Sequence, residues 1–323
     1  MREITFLDAL NEALDEEMAR DERVFILGES VVNAQAATAA FKGLAQKYGL
    51  ERVRDTAISE TAILGAAIGA AATGMRPVAS LMLCDFIGVC GDELLNQLQM
   101  RYMFGGKIRL PLTIMVGSGA GVSASAQHSK SLEGWLMAIK GLKIVLPSTA
   151  YDAKGLLKSA IRDDNPVIFL EHKLLGRQVS QIPDEDYLIP LGKADIKRKG
   201  DDVTVVATAF MVQRALGAAL RLEKEGISLE VVDLRTLVPL DKETIITSVK
   251  KTGRLVVMTE EPITGSAAGE IAAIVAEEAL DYLDAPIRRV CAPDTPVPFS
   301  PVMEKFWMPD DEKLVRAIRE IVY

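Results

Sequence analysis

Short, continuous apolar runs recur along the chain, separated by stretches in which apolar positions return every three or four residues. Residues 24–27, 78–83, 112–116 and 167–170 form such runs, which predicts strands buried on both faces. The helical spacing falls between them, at 5–20, 61–74, 92–103 and 151–162. This alternation predicts a parallel sheet with helices on both sides. From 177 to 200 the chain turns polar, contains prolines and ends in a basic run, which reads as a linker. A second unit begins at 203–207 (VTVVA), with further strands at 229–234 and 254–259. Its helices are predicted near 213–225, 242–251, 266–283 and 310–322, the last with acidic residues at its start, as the helix dipole prefers. The expected fold class is therefore α/β, with two three-layer, doubly wound domains at 1–176 and 201–323 joined by the linker.

Composition narrows the function. The chain has 323 residues and a formal net charge of −8, which disfavours a nucleic-acid partner. Its three cysteines form no CxxC pair, giving no disulfide framework and fitting a reducing cytoplasm. With only two histidines, His128 and His172, a zinc site is disfavoured. The N-terminal stretch is acidic and amphipathic, unlike a secretory signal, and no apolar run reaches the ~20 residues of a membrane span.

Complete phosphate-binding motifs are missing. The stretch 117–121 (GSGAG) follows a strand, but its spacing is GxGxG rather than GxGxxG, and there is no Walker A loop and no GxSxG elbow. Either the chain binds no phosphorylated ligand or it contributes half of a shared site.

Four longer motifs add up: TAISE (56–60), AQHSKSLEGW (126–135), GLKIVLPSTAYDAKGLLKSAIRDDNPV (141–167) and APIRRVCAPDTPVPFSP (285–301). Through them the whole chain resembles the beta subunits of thiamine-diphosphate-dependent 2-oxo-acid and acetoin dehydrogenases. Residues 85–88, 101–107 and 189–197 are most similar to the acetoin branch. The resemblance implies a transketolase-like architecture, a pyrimidine-binding domain followed by a transketolase C-terminal domain. It also implies an α2β2 heterotetramer in which the alpha subunit holds the diphosphate and its Mg²⁺ through a GDG-type motif. Here Gly91-Asp92-Glu93 departs from that motif at its third position.

Glu60 is the first site candidate. Read locally, it is a first-turn helix glutamate after a Ser59 cap. The resemblance implies instead a carboxyl that hydrogen-bonds the pyrimidine ring nitrogen of thiamine diphosphate and favours the tautomer that activates the cofactor. A helix N-terminus offers a carboxylate only ~0.3–1 kcal/mol, whereas burying an unpaired one costs several, so a buried Glu60 needs a further partner. Ile58, in the same motif, is implied beside the cofactor. Phe86 is implied to stack on its aminopyrimidine ring, although an ordinary core phenylalanine after a strand fits the local pattern equally. His128, in the small, polar loop 117–131, is implied to move protons at the substrate; locally it could equally bond neighbouring serines. Relatives acting on 2-oxo acids often carry a second histidine about ten residues later; residues 136–141 (LMAIKG) have none, which favours acetoin.

In several relatives main-chain carbonyls hold K⁺, which places a structural cation at Leu112, Ala160, Ile161, Asp163 and Asn165; the local alternative is a plain helix-to-strand turn. Gly65, Gly69 and Gly74 among alanines predict close packing across a subunit interface, while the 197–199 run and Arg288-Arg289 read as solvated faces. The expected activity is cleavage of acetoin and transfer of a two-carbon acyl group to a lipoyl acyltransferase core. The alternatives are a pyruvate or branched-chain 2-oxo-acid dehydrogenase subunit, a split transketolase, and a non-catalytic scaffold in which Glu60 is solvent-exposed.

Overall fold

The structure, a computed structural model, describes residues 1–323, the side chains of residues 36 and 37 excepted. The elements run β1 (Arg2–Thr5), α1 (Phe6–Arg20), β2 (Val24–Gly28), α2 (Leu44–Tyr48), β3 (Val53–Asp55), α3 (Glu60–Ala72) and β4 (Arg76–Leu83). A 3₁₀ turn over Cys84–Cys90 leads to α4 (Gly91–Leu95), α5 (Met100–Met103), β5 (Thr113–Ser118), α6 (Glu133–Met137), β6 (Lys143–Val145), α7 (Ala150–Arg162), β7 (Val167–His172) and β8 (Val179–Ile182). Then come β9 (Asp195–Arg198), β10 (Val203–Ala207), α8 (Phe210–Leu222), β11 (Leu229–Asp233), β12 (Thr236–Val238) and α9 (Lys242–Thr252). The chain ends with β13 (Leu255–Pro262), α10 (Ala267–Glu278), β14 (Arg288–Ala292), α11 (Pro301–Trp307) and α12 (Asp311–Val322).

Two compact units result: residues 1–118 with 138–191, and residues 119–137 with 192–323. In the first, β6-β7-β5-β4-β2-β3 stand side by side, all parallel, and β1 pairs with β8 in a separate antiparallel ribbon. The apolar runs account for this, since β4, β5 and β7 are buried almost throughout. Helix α1 starts at an N-cap in which the Thr5 hydroxyl accepts from Asp8 N at 3.1 Å, and Phe6, Ala9, Leu10, Ala13 and Leu14 form its buried stripe. It packs against α7 through matched charges. Lys154 sits 2.7 Å from both Glu12 and Glu16, and Lys158 pairs with Glu16 and Asp186.

The second unit is a sheet in the order β14-β13-β10-β11-β9, parallel apart from β9. Its core joins Val203, Val205 and Val231 of the strands to Val212, Ala215 and Ala219 of α8 and to Leu314 and Ile318 of α12.

Several elements differ from expectation. Residues 177–200, read as a linker, carry β8 and β9, each paired within its own unit. Residues 119–137, read with the first domain, group with the second unit, because glutamates of that unit hold their amides. The helix expected over 92–103 breaks into α4, a 3₁₀ turn at Gln97–Gln99 and α5, with Asn96 at φ −117° between them. The basic groups read as solvated faces divide: Lys199 and Arg289 are exposed, whereas Lys197 lies 2.9 Å from Asp195 and Arg198 2.9 Å from Glu223, both largely covered.

Candidate functional site

In the first unit the chain passes from β2 to β3 on one side and then returns to β4 on the other, so the strand order reverses at β2. In open parallel sheets ligands bind at the carboxyl ends of strands beside such a reversal. Three segments leave the sheet there: Glu29-Ser30 after β2, residues 56–59 after β3, and Cys84–Cys90 after β4. The backbone at this edge is tight. A Cβ on Gly28 would stand 2.6 Å from the Ser80 carbonyl oxygen, so only glycine allows this strand approach. Ser30 and Met82 adopt positive φ of 55° and 60°, and the β4–β5 register shifts between Ser80 and Leu83. Strained positions of this kind cluster where a chain must aim side chains at a ligand.

Glu60 is the first residue of α3, and its residue is only 9% exposed. Ser59 holds the N-cap position without a side-chain cap bond. Among the described residues, none gives the Glu60 carboxylate a hydrogen bond or ion pair. The dipole of α3 contributes too little to offset that burial, so the group fits a donor from outside the chain. The surroundings are acidic. The buried Cys90 thiol is pushed up to about 12, first by burial and then by the charges of Glu93 and Glu60. Helix α3 packs on the Cys84–Cys90 turn, and Thr61 Oγ1 donates to the Val89 carbonyl at 3.1 Å. Phe86, half-buried on that turn, and Ile58, 76% exposed, therefore share this edge with Glu60. Glu29, which sequence reasoning passed over, is half-buried at the same edge; only its position at a strand end could have flagged it.

Helix α3 is apolar all round, yet Thr61, Ala62, Ala66 and Gly69 are exposed. A helix of that composition is normally covered on every side. A Cβ at Gly69 would meet nothing within 4 Å in this chain.

His128 belongs to the second unit and is exposed. Its segment is pinned at both ends, with Gly119 N donating to Lys130 O at 3.1 Å and Glu304 accepting from Gly121 N and Ser123 N at 2.8 Å each. His172 is buried at the end of β7, where its Nδ1 accepts from Leu174 N at 3.2 Å, an ordinary structural bond.

The residues expected around K⁺ lie at the opposite, amino ends of β5 and β7. Their carbonyls already accept hydrogen bonds: Leu112 O from Val167 N at 2.8 Å, Ala160 O from Asp163 N at 3.2 Å. Arg76 Nη1 donates to Ile161 O at 2.9 Å and Asp163 O at 3.1 Å, so a guanidinium stands at part of the expected cation cradle. Asn165 Nδ2 donates to Asp163 Oδ1 at 2.8 Å. No group of three or more His, Cys, Asp or Glu suited to a metal ion occurs among the described residues.

Residues 2–178 match the family described as transketolase, pyrimidine binding domain, and residues 192–314 match transketolase, C-terminal domain. The chain is 48% identical to the acetoin:2,6-dichlorophenolindophenol oxidoreductase subunit beta of Bacillus subtilis (strain 168), over 99% of this chain and 98% of that one. It is 46% identical to the 2-oxoisovalerate dehydrogenase subunit beta of the same organism, over 99% of each. Its fold is similar to that of a split gene transketolase solved as an inactive beta4 tetramer, with a TM-score of 0.78 at 24% identity over 99% of this chain and 98% of that one.

Proposed function

The chain belongs to the transketolase-like family as a beta subunit of a thiamine-diphosphate-dependent dehydrogenase, and on that basis we propose that its substrate is acetoin. As such a subunit it works with an alpha partner in a heterotetramer. The observation that carries the site assignment is Glu60: a buried carboxylate at the ligand-binding edge with no partner in its own chain. A scaffold role would leave Glu60 in water, which its burial disfavours.

When bound, thiamine diphosphate supplies a carbon nucleophile and an electron sink for carbon–carbon cleavage. Glu60 would share a hydrogen bond with the ring nitrogen of its aminopyrimidine, which accounts for a carboxyl kept from water with a free face. Phe86, half-buried beside it, and Ile58 would cover the ring. His128, exposed on its pinned segment, would hold and release a proton at the substrate oxygen. The exposed small-residue face of α3 suits a close-packed helix of another subunit. Mg²⁺ would be held by the alpha subunit, and the acyl group would pass to a lipoyl acyltransferase core. K⁺, if bound at Leu112, Ala160, Ile161, Asp163 and Asn165, would be structural and would share two carbonyls with Arg76. A cytoplasmic location is supported by three free cysteines and by the absence, among the described residues, of a helix long and apolar enough to cross a membrane.

Acetoin is favoured over 2-oxo acids by the missing second histidine in residues 136–141. The high identity to the 2-oxoisovalerate enzyme's beta subunit keeps a branched 2-oxo acid as the second reading. The deciding experiment co-expresses the chain with its alpha subunit, adds thiamine diphosphate and Mg²⁺, and follows dichlorophenolindophenol reduction with acetoin, pyruvate and branched 2-oxo acids. Acetoin should turn over at least roughly tenfold faster than the others. Equal or faster turnover of a 2-oxo acid would overturn the substrate assignment.

A further inference from the structure

Three glutamates of the second unit converge on the segment that carries His128, and a fourth, within the segment, lacks the partner its burial requires. Glu260, near the end of β13, accepts from Ala120 N at 2.6 Å. Glu304, in α11, accepts from Gly121 N and from Ser123 N and Oγ. Glu261 accepts from Gly134 N with one oxygen at 2.5 Å and from Ala267 N, in the first turn of α10, with the other at 2.9 Å. All three residues are at most 4% exposed. The bond to Gly134 is possible only because the backbones nearly touch: a Cβ on Gly134 would stand 2.1 Å from the Gly265 carbonyl oxygen.

Glu133, the residue before Gly134, is 6% exposed, and its Oε2 is buried with no hydrogen-bond partner. The bond from Gly134 N brings the buried Glu261 carboxylate against the residue next to Glu133, and two neighbouring buried carboxylates do not both ionise without a cation. Among the described residues Glu261 has none; both of its bonds come from backbone amides. A proton on Glu133 would turn its orphaned oxygen into a donor, and Glu261, held by the neighbouring amide, offers an acceptor.

We propose that Glu133 and Glu261 hold one proton between them, and that this proton fastens the 119–137 segment to β13, making the pair a positioning device for His128. The electrostatics agree. Burial, then the charge of Glu261 and, more weakly, that of Glu260, raise the Glu133 carboxyl well above the usual range. Burial brings Glu261 up to about 7 against the pull of its two amide bonds. Cys291 of β14 feels the charges of both Glu261 and Arg289; the neighbouring elements also carry Glu304 in α11, the exposed Glu270 in α10, and His128 and Lys130 in the segment itself. The Cys291 thiol is raised first by burial. Because the folded values lie above the unfolded 4.5, the stabilisation is complete at acid pH and drains away as pH rises toward and past about 7.

The test uses the full chain in a Glu171→Gln background, which removes the half-buried acid whose carboxyl is also raised. Infrared difference spectra should show a neutral-carboxyl carbonyl band that persists at about pH 6, titrates near or above neutrality, and is lost in Glu133→Gln. Hydrogen exchange of amides 119–137, corrected for intrinsic base catalysis, should speed up roughly fivefold between about pH 6 and 8.5 in the parent and stay flat in Glu133→Gln. If that variant does not fold, Glu261→Gln serves with the same two readouts. No neutral-carboxyl band at about pH 6, or the same pH-dependent loosening in the variants, would overturn the proposal. The consequence for turnover rests on the reading of His128 given above, but these two readouts do not. If His128 were not catalytic, His128→Ala would keep its activity while the band persisted.

Discussion

Arg76 places its guanidinium Nη1 2.9 Å from the carbonyl oxygen of Ile161, at the C-terminus of α7. The same group reaches Asp163 O at 3.1 Å and Asp164 Oδ1 at 2.6 Å, while its side chain is only 13% exposed. Carbonyls at a helix C-terminus lack intrahelical donors and attract positive charge. Arg76 thus supplies from within the chain part of what a bound K⁺ would supply.

A prediction about ion dependence follows. Arg76→Met should destabilise the first unit by about 2–3 kcal/mol, since two carbonyls and a half-exposed aspartate lose a charged donor. It should also sharpen any response to K⁺. Exchanging K⁺ for Na⁺ should move the thermal midpoint of the variant more than that of the wild type. An equal response in both proteins would separate the arginine from the proposed cation site.

Glu60 should show opposite effects on activity and stability. Glu60→Gln in the assembled enzyme should lower kcat by about 10²–10⁴, the usual reach of a positioned acid–base group. The same substitution in the isolated chain should leave the thermal midpoint unchanged or raise it, because a buried carboxylate without a partner in its own chain is replaced by a neutral amide. Activity assays and melting curves on the same preparations check this. A variant that melts lower and keeps its activity would assign Glu60 a structural role.

These two sites also mark how far the sequence could be read. The central strands β4, β5 and β7 were legible because their apolar runs are continuous and buried on both faces. Strand β8 was not: its pattern is Val179 exposed, Ser180 half-buried and Gln181 exposed, so nothing local separates it from a loop, and only pairing with β1 makes it a strand. The 119–137 segment carries no signal of its allegiance, which is decided by glutamates more than 120 positions later in the chain. Locally Glu60 looks like any first-turn acid; its TAISE context singled it out, and its burial supports that reading. Glu133 sat in plain view within SLEGW, but sequence alone cannot reveal that its oxygen ends without a partner.

The α1–α7 contact should depend on intact pairs rather than on charge as such. Lys158, 1% exposed, bridges Glu16 of α1 and Asp186. Burial alone would lower its pKa, but the bonds to Asp186 and Glu16 outweigh burial and raise it. Lys158→Ala would open a cavity and take one of the two lysines from Glu16, leaving it to Lys154 alone at 2.7 Å. A fully buried broken pair costs ~3–5 kcal/mol; with Asp186 64% exposed, about 2–3 kcal/mol is expected here. Lys158→Met, which keeps the stem packed, should recover part of the loss when combined with Glu16→Gln. Urea titrations of the single and double variants measure the coupling, and strictly additive losses would refute it.

Glu171, near the end of β7, should give the first unit a descending pH profile. Burial raises its carboxyl to about 8, and among the described residues it has no hydrogen-bond partner. Its folded value lies above the unfolded 4.5, so the folded state binds the extra proton between those limits, and stability falls as pH rises from about 4.5 to 8. The residue keeps some exposed surface, so only part of the shift should appear as stability, about 1–2 kcal/mol. Glu171→Gln should remove that decline, raising stability at pH 8 while leaving it nearly unchanged at pH 5. Chemical denaturation of both proteins at the two pH values checks the sign; a variant that loses as much stability as the wild type between them would place the titrating group elsewhere.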